Sequence, residues 1–583
     1  MVNVKNLFGM AVVATALVGC SSSDDLATDV KGNESKAGTA YASFKINLPT
    51  TNGTRAAGDI DFQPGTKNEY AVNDATLLLF KKDTEGSKTV YKFKESVDLG
   101  NMEPWTSSST SGSGITTTAK LTAKINNAQV GANKGYYALI VLNNNKGTDQ
   151  KITYPDPDET YAKWSKDDVN ANATNYLKYD KGFFMANAPK YVADGTPETL
   201  VEIKNIYASK QEAENSTATT VYVERGLAKV SLETGSESKS VKIEGGNYDQ
   251  DKVAITGWTL DVTNTKTFPV HVTDGLWSDI WKTTVTPAAT NGATMGRFYD
   301  SKLTEFPRVY WGADPNYDKN LTTVGDCEGE FNLVANQADL SKAFKTGEDA
   351  KKPQYCLENT FDIAHMMQGQ TTRVLFSAKY TPNGFLDGDT FYKMGNSSQL
   401  WNATKVEDQI KAKAMEVLKE ADETKVTVTL AAPANNLTEA GVHFVAAANV
   451  THVGGPALTT DDVDKINAKL GFKAATATES AVGLSTFAGG VSYYIARVKH
   501  FGDYLTKWNA GNKTYDNNNI NWLGRYGVLR NNWYELSVHS VSGPGYPDVP
   551  KVNPTDPDDV NDQYINVEVK ILDWALRKQQ VDL

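Results

Sequence analysis

Residues 564–583 read YINVEVKILDWALRKQQVDL. Ile565, Val567, Val569 and Ile571 alternate with Tyr564, Asn566, Glu568 and Lys570, which is the period of a strand with one apolar face. Leu572, Trp574 and Leu576 fall on the opposite parity, so a bulge, a bend or a second short strand is expected near Asp573. Just before the tail lies GPGYPDVPKVNPTDPDDVND, residues 543–562, whose Pro, Gly and Asp content predicts a tether with no regular element. A chain end is normally polar and frayed. A one-sided strand at the end of a tether needs an apolar groove, either in its own domain or in a neighbouring molecule.

The other terminus carries a targeting pattern. Lys5 gives a basic start, and Leu7 to Leu17 is an apolar run too short to span a bilayer. It ends in Leu17-Val18-Gly19-Cys20, which resembles the bacterial lipobox, with Cys20 as the lipid-bearing residue of a chain whose residues 1–19 are removed. The Ser21-Ser22-Ser23-Asp24-Asp25 run that follows resembles the export signal of surface lipoproteins in Bacteroidales. An ordinary secretory signal with a chance Cys20 is the alternative.

Downstream, Ala42, Phe44, Ile46 and Leu48 share one face of a second strand, within YASFKINL. The polar stretch PTTNGTRAAG at 49–58 follows, with Arg55 alone among small residues. Such a loop suits a trypsin-like or Arg-specific protease, and cutting between Arg55 and Ala56 would separate the first strand and its anchor from the rest. A sheet that loses a strand exposes unpaired backbone groups and an apolar groove. One strand removable at one end and one strand on a tether at the other is the pattern of assembly by strand addition.

Length and composition agree with an exported, mainly β protein. The chain has 583 residues, enough for two or more domains. Tyr, Trp, Val and Thr are plentiful, and Gly and Asn clusters punctuate short apolar runs. A net charge of −11 argues against a nucleic-acid partner. Beyond Cys20 only Cys327 and Cys356 remain, which could form one disulfide or stay as two buried thiols. The six His, at 271, 365, 443, 452, 500 and 539, show no metal-ligand spacing, and no nucleophile elbow is present. No cofactor, metal site or catalytic residue is expected. Asp556, Asp558, Asp559 and Asp562 lack the spacing of a calcium loop and read as a solvated acidic tether.

Together with YYALIVLNN at Tyr136, VYVERGLAKVSL at Val221, YYIARVKH at Tyr493 and YGVLRNNWYELSVHSV at Tyr526, these termini resemble the Bacteroidales major fimbrillins, or type V pilins. The likeness is greatest to the shaft subunit of the short (minor) fimbria. It implies two tandem transthyretin-like β-sandwich domains with a few inserted helices and a C-terminal donor strand. It also implies a lipoprotein precursor at the outer membrane, cleavage after Arg55, and then an extracellular polymer built by donor-strand exchange. The displaced strand would be Ala42, Phe44, Ile46 and Leu48, and the donor Ile565, Val567, Val569 and Ile571 with Trp574 as an anchor. Implied partners are other copies of the chain, tip and anchor subunits, an Arg-specific protease, and host or bacterial surface receptors in adhesion and biofilm formation.

On this basis residues 20–55 form a lipidated propeptide, 56–218 an N-terminal sandwich, 219–550 a C-terminal sandwich and 551–583 the tether and donor strand. The polar segment 205–219 reads as the inter-domain linker. Helices are expected over 405–421 and 461–470, as insertions in the second domain. The competing reading is a monomeric surface lipoprotein that binds glycans through β-sandwiches. It has no use for a cleavable loop after the first strand or for a tethered last one.

Overall fold

The computed structural model describes residues 38–49, 66, 69, 71–100, 102, 115–145, 150–168, 176–178, 180, 182–191, 197–233, 240–244, 246–273, 298, 308–334, 340–430, 442–476, 481–501, 523–558 and 565–573. Their fold is mainly β and is consistent with a β-sandwich architecture.

The first sheet is built from β1 (Ala40–Pro49), β2 (Ala75–Glu85), β3 (Lys88–Gly100), β4 (Ile115–Ile125), β5 (Gly131–Leu142), β6 (Met185–Asn187), β7 (Val201–Ile206) and β8 (Thr219–Arg225). Among the described residues the strand order is β3-β2-β5-β6-β8-β1-β4, with β7 beside β5. Short β6 pairs with the ends of both β5 and β8 and so joins two halves. The apolar parity of each strand then meets between them. Ala42, Phe44 and Ile46 of β1, Leu77 and Leu79 of β2, Ile140 of β5, and Val221 and Val223 of β8 form one buried cluster.

The second sheet starts one residue later. It comprises β9 (Leu227–Leu232), β10 (Ser240–Ile243), β11 (Lys252–Asp261), β12 (Gln354–Leu357), β13 (Arg373–Thr381), β14 (Val491–Arg497), β15 (Asn532–Val541) and β16 (Ile565–Asp573). Their order is β12-β9-β15-β10-β11-β13-β14, with β16 beside β15 and the short strand Lys345–Thr346 beside β11. Val230, Leu536 and Val538 face Val253, Ile255, Phe376 and Tyr494 across its core.

The sequence-based boundary at 218/219 differs from this arrangement. Residues 219–225 belong to the first sheet, because β8 pairs with β1 and β6, and the change of sheet falls at Gly226. Nothing larger fits there, since a Cβ on Gly226 would lie 1.7 Å from the Tyr176 hydroxyl. The expected linker 205–219 is likewise part of the first body. It contains a short helix, α1 (Lys210–Asn215), held by a Ser209/Glu212 capping box that answers its orphan N–H groups. Ala213 of α1 is buried, and its carbonyl accepts a 2.6 Å bond from Ser43 of β1. Polarity misleads here because the polar side chains cap the helix or face solvent, while Ile206, Ala213 and backbone groups tie the segment to the sheet.

Two longer helices form where amphipathic spacing predicts them, α2 (Ala403–Leu418) and α3 (Thr460–Lys469). Val406, Ile410 and Ala414 of α2 pack with Ile466 of α3 and with Tyr392 and Leu484 from a separate small sheet. This inserted unit has its own core, and Phe391 and Phe487 of the same small sheet join it to the sandwich cluster.

The stretch expected to be a free tether is docked as far as Asp558. Tyr546 and Tyr493 exchange backbone bonds of 2.9 Å, and Arg373 donates to the Pro550 carbonyl at 2.6 Å. Val549 and Val552 are buried. Asp558 is 1% exposed, not solvated, and accepts from Thr371 at 3.0 Å. Gly545, at φ +68, allows the turn, since a Cβ there would come 2.5 Å from the Tyr493 carbonyl oxygen. Composition predicted irregular backbone correctly; it could not reveal that this backbone is anchored.

Candidate functional site

The two strands singled out from the termini occupy unlike places. β1 lies inside its sheet, parallel to β8 over Phe44–Asn47 and antiparallel to β4 along its whole length. Ala40, Phe44 and Ile46 are 0% exposed. The opposite face is also enclosed, with Ser43 bonded to Thr122 at 2.9 Å and to α1. Asn47 is buried as well, whereas Lys45 stands out to solvent. Leu48 aligns with Thr117 in the register. Each fully buried apolar side chain contributes about 1.5–3 kcal/mol, so β1 is integral to the first core while it is present. Its removal would leave β8 and β4 without their common neighbour.

The tail strand β16 is an edge strand, bonded among the described residues only to β15, antiparallel from Asn532↔Asp573 to Val541↔Ile565. Val567 sits opposite Val538 and packs partly buried on the second core. Val569 and Ile571 align with Leu536 and Tyr534, which are themselves buried. The apolar parity of the tail thus follows the core-facing parity of β15. In the described chain the groove that receives the tail is its own. The bend expected near Asp573 falls where the described residues end. Cys20, Arg55, Ala56 and Trp574 lie outside the described residues.

Between the two sheets is a buried ionic junction that motif reading missed. Glu224 of β8 is 2% exposed. It accepts from Arg308 Nη2 at 2.5 Å and Nε at 3.0 Å, and its other oxygen lies 2.8 Å from His271 Nδ1. Burial pushes the Glu224 carboxyl up, but Arg308 and His271 outweigh it and hold the group at about 2. Arg530 pairs with Glu358 and also donates to the Phe268 and Pro269 carbonyls at 2.8 and 3.0 Å. Asn531, left-handed at φ 61, accepts from the backbone N–H and the guanidinium of Arg225 at 3.1 and 3.2 Å. Charged residues inside apolar runs, in VYVERGLAKV and GVLRNNWYEL, were the signal available in the sequence. Buried charges persist only when paired and hydrogen-bonded, so the junction holds the two sheets in one relative placement.

The cysteines take the free-thiol alternative. Cys327 and Cys356 are both buried and unbonded, and a disulfide between them is not formed. The physical reason is location. Cys327 packs with Val262, Phe331 and Val552, whereas Cys356 belongs to the sandwich core beside Ala228. Burial pushes the two thiols up, to about 11 and about 12.

Among the described residues no group of three or more His, Cys, Asp or Glu is placed to hold a metal ion. His365 pairs with Asp362 at 2.6 Å and His500 with the Tyr534 hydroxyl at 2.7 Å. A cavity of about 240 Å³ lies beside the junction, lined by Tyr91, Thr160, Tyr161, Ser165, Glu198 and Thr199 among others. No helix of the described residues is long and apolar enough to cross a membrane.

Comparison with known proteins bears on the C-terminal part. Residues 485–580, which contain β14, β15 and β16, match the family described as major fimbrial subunit protein type IV, fimbrillin, C-terminal. This portion of the chain is therefore fimbrillin-like. No curated protein matches the chain. Among solved structures, a candidate cell adhesion protein from Parabacteroides distasonis ATCC 8503 is 9% identical, with 93% of this chain and 99% of that one covered and a TM-score of 0.34. A candidate cell adhesion protein from Bacteroides eggerthii DSM 20697 is 11% identical, covers 93% and 98%, and has a TM-score of 0.34. A fimbrial assembly protein from Parabacteroides distasonis ATCC 8503 is 11% identical, covers 62% and 93%, and has a TM-score of 0.23. Overlaps this weak carry no argument.

Proposed function

We propose that the chain is the polymerising shaft subunit of a surface fimbria, with a structural rather than an enzymatic role. On this reading it is exported as an outer-membrane lipoprotein through Cys20 and cut between Arg55 and Ala56. Copies then join when the strand Ile565–Ile571 of one enters the groove vacated by β1 of the next. Adhesion and biofilm formation, with tip and anchor subunits at the fibre ends, follow from that role.

The observation that carries this reading is the placement of β1. It is buried inside its sheet, between β8 and the end strand β4, yet it is the first described strand and precedes Arg55 in the sequence. Cleavage in that loop would free β1 without cutting any other strand. The apolar set of β1, at 40, 42, 44 and 46, has the same two-residue spacing as the tail set at 565, 567, 569 and 571. Four inserted side chains would contribute roughly 6–12 kcal/mol if fully buried. The backbone ladder would add to this. The match of 485–580 to fimbrillins supports the reading from the donor end.

Deleting residues 564–583 tests it. The truncated chain is expected to be folded, exported and cleaved but unable to polymerise. Fibres of normal length from that chain would refute the proposal. The cavity lined by Tyr91, Tyr161, Thr160 and Ser165 favours a second reading, a glycan-binding lipoprotein, because aromatic rings and hydroxyls suit a sugar. Saturable glycan binding by the uncleaved monomer would support it.

A further inference from the structure

The connection between β1 and β2 is pinned to the molecule at Glu69. This side chain is 0% exposed. Its Oε1 accepts from Lys229 Nζ at 2.7 Å and from the Tyr355 hydroxyl at 2.6 Å. Lys229 and Tyr355 are opposite one another across β9 and β12, so this oxygen is bound to the second sheet. The Glu69 carbonyl accepts from Arg225 Nε at 2.8 Å, and Arg225 is the last residue of β8 in the first sheet. A turn closes around the same residue, with Glu69 N–H donating to the Thr66 carbonyl at 2.9 Å and Thr66 N–H to Glu69 Oε2 at 2.5 Å. Trp533 covers the arrangement, its ring centroid 3.6 Å from Lys229 Nζ.

The position of this pin is informative. Where β1 leaves the sheet, Asn47 is level with Tyr222, three residues before Arg225 on the same strand β8. Both ends of the connection therefore converge on the end of β8.

We propose that Glu69 is a latch and a positioning residue for strand release. It fixes the chain beyond the scissile loop to both sheets at once. When β1 departs, the new N-terminal region stays anchored beside the mouth of the groove, and proteolysis stops short of the Thr66–Glu69 turn. The inference rests on the reading that β1 is removed by cleavage in the loop containing Arg55. A carboxylate with these donors has no apolar equivalent here, since losing it would take from buried Lys229 the carboxylate 2.7 Å away.

The sequence supplies a built-in probe. Lys67, between Thr66 and Glu69, is the next basic residue after Arg55. A protease must hold several residues in extended form, which the bonds between Thr66 and Glu69, on either side of Lys67 in the sequence, resist. The full-length precursor is treated with trypsin under native conditions, and its new N-termini are sequenced over time. Cleavage after Arg55 is expected at least about tenfold faster than cleavage after Lys67. Glu69→Gln is expected to abolish that difference, and Tyr355→Phe to reduce it. The double variant Glu69→Met with Lys229→Met removes both charges together, so neither is left buried without the other, and it opens the turn by taking away the acceptor of the Thr66 N–H. It is expected to expose Lys67 as well. Equal cleavage at the two sites in the unaltered chain, or protection that survives in both Glu69→Gln and the double variant, would overturn the latch. Scoring SDS-resistant ladders on the same samples keeps the two readings separate: protection lost on substitution supports the latch, and missing ladders count only against polymerisation.

Discussion

If β1 is a temporary strand, weakening it must affect the precursor and spare the fibre. Phe44 is the largest apolar side chain of β1. It is 0% exposed, and lies between Leu121 of β4 and Thr219 of β8. Phe44→Ala removes most of a buried ring and leaves a cavity, a change that costs about 3–5 kcal/mol. The loss falls on the first sheet of the uncleaved chain and is read as a lower denaturant midpoint for that sheet. If half of it is felt in the release step, strand departure after cleavage quickens by roughly 10- to 100-fold. Ladder formation in SDS, timed from addition of protease, measures that rate. On the proposed reading finished fibres no longer contain β1, so their resistance to heat and SDS should equal that of the unaltered protein. Fibres weakened by Phe44→Ala as much as the precursor is weakened would show that β1 stays in place, and the reasoning would fail.

Acid should loosen the junction between the sheets. The Glu224 carboxyl is held at about 2, below its ordinary 4.5. Its contribution is therefore complete above pH 4.5 and lost as pH falls toward 2, a change of about 3 kcal/mol. Acid unfolding followed by tryptophan fluorescence should show this step, and Glu224→Gln should remove it. Gly226→Ala would drive a Cβ into the Tyr176 hydroxyl. Thermal unfolding should show a loss of about 1–3 kcal/mol or more, and unchanged stability would contradict the described close approach. In a chain lacking Cys20, a thiol reagent should leave Cys327 and Cys356 unmodified until the protein unfolds, and reduction should not alter its gel mobility.

Periodicity carried most of the fold. The alternation in YASFKINL and in YINVEVKI marked β1 and β16, and the heptad-like spacing in 405–421 marked α2. These signals are local, and each residue's burial follows from its own strand or helix. What stayed hidden depends on distant partners. That residues 219–225 belong to the first sheet is decided by pairing with β1 and β6, far away in the chain. The docking of 543–558 is decided by Tyr493, Arg373 and Thr371, none of them neighbours in sequence. Glu69 looks like an ordinary surface carboxylate until Lys229, Tyr355 and Arg225 are seen around it. The free state of Cys327 and Cys356 likewise follows from their separate clusters, which spacing alone could not supply.

The central claim is that cleavage at one arginine converts a closed subunit into one that accepts another's tail. Treating the purified precursor with an Arg-specific protease, sequencing the new N-terminus and looking for SDS-resistant ladders tests it directly. The account predicts a chain beginning at Ala56, with ladders that disappear in Arg55→Ala. Clean cleavage at Arg55 with a persistent monomer after long incubation would contradict it.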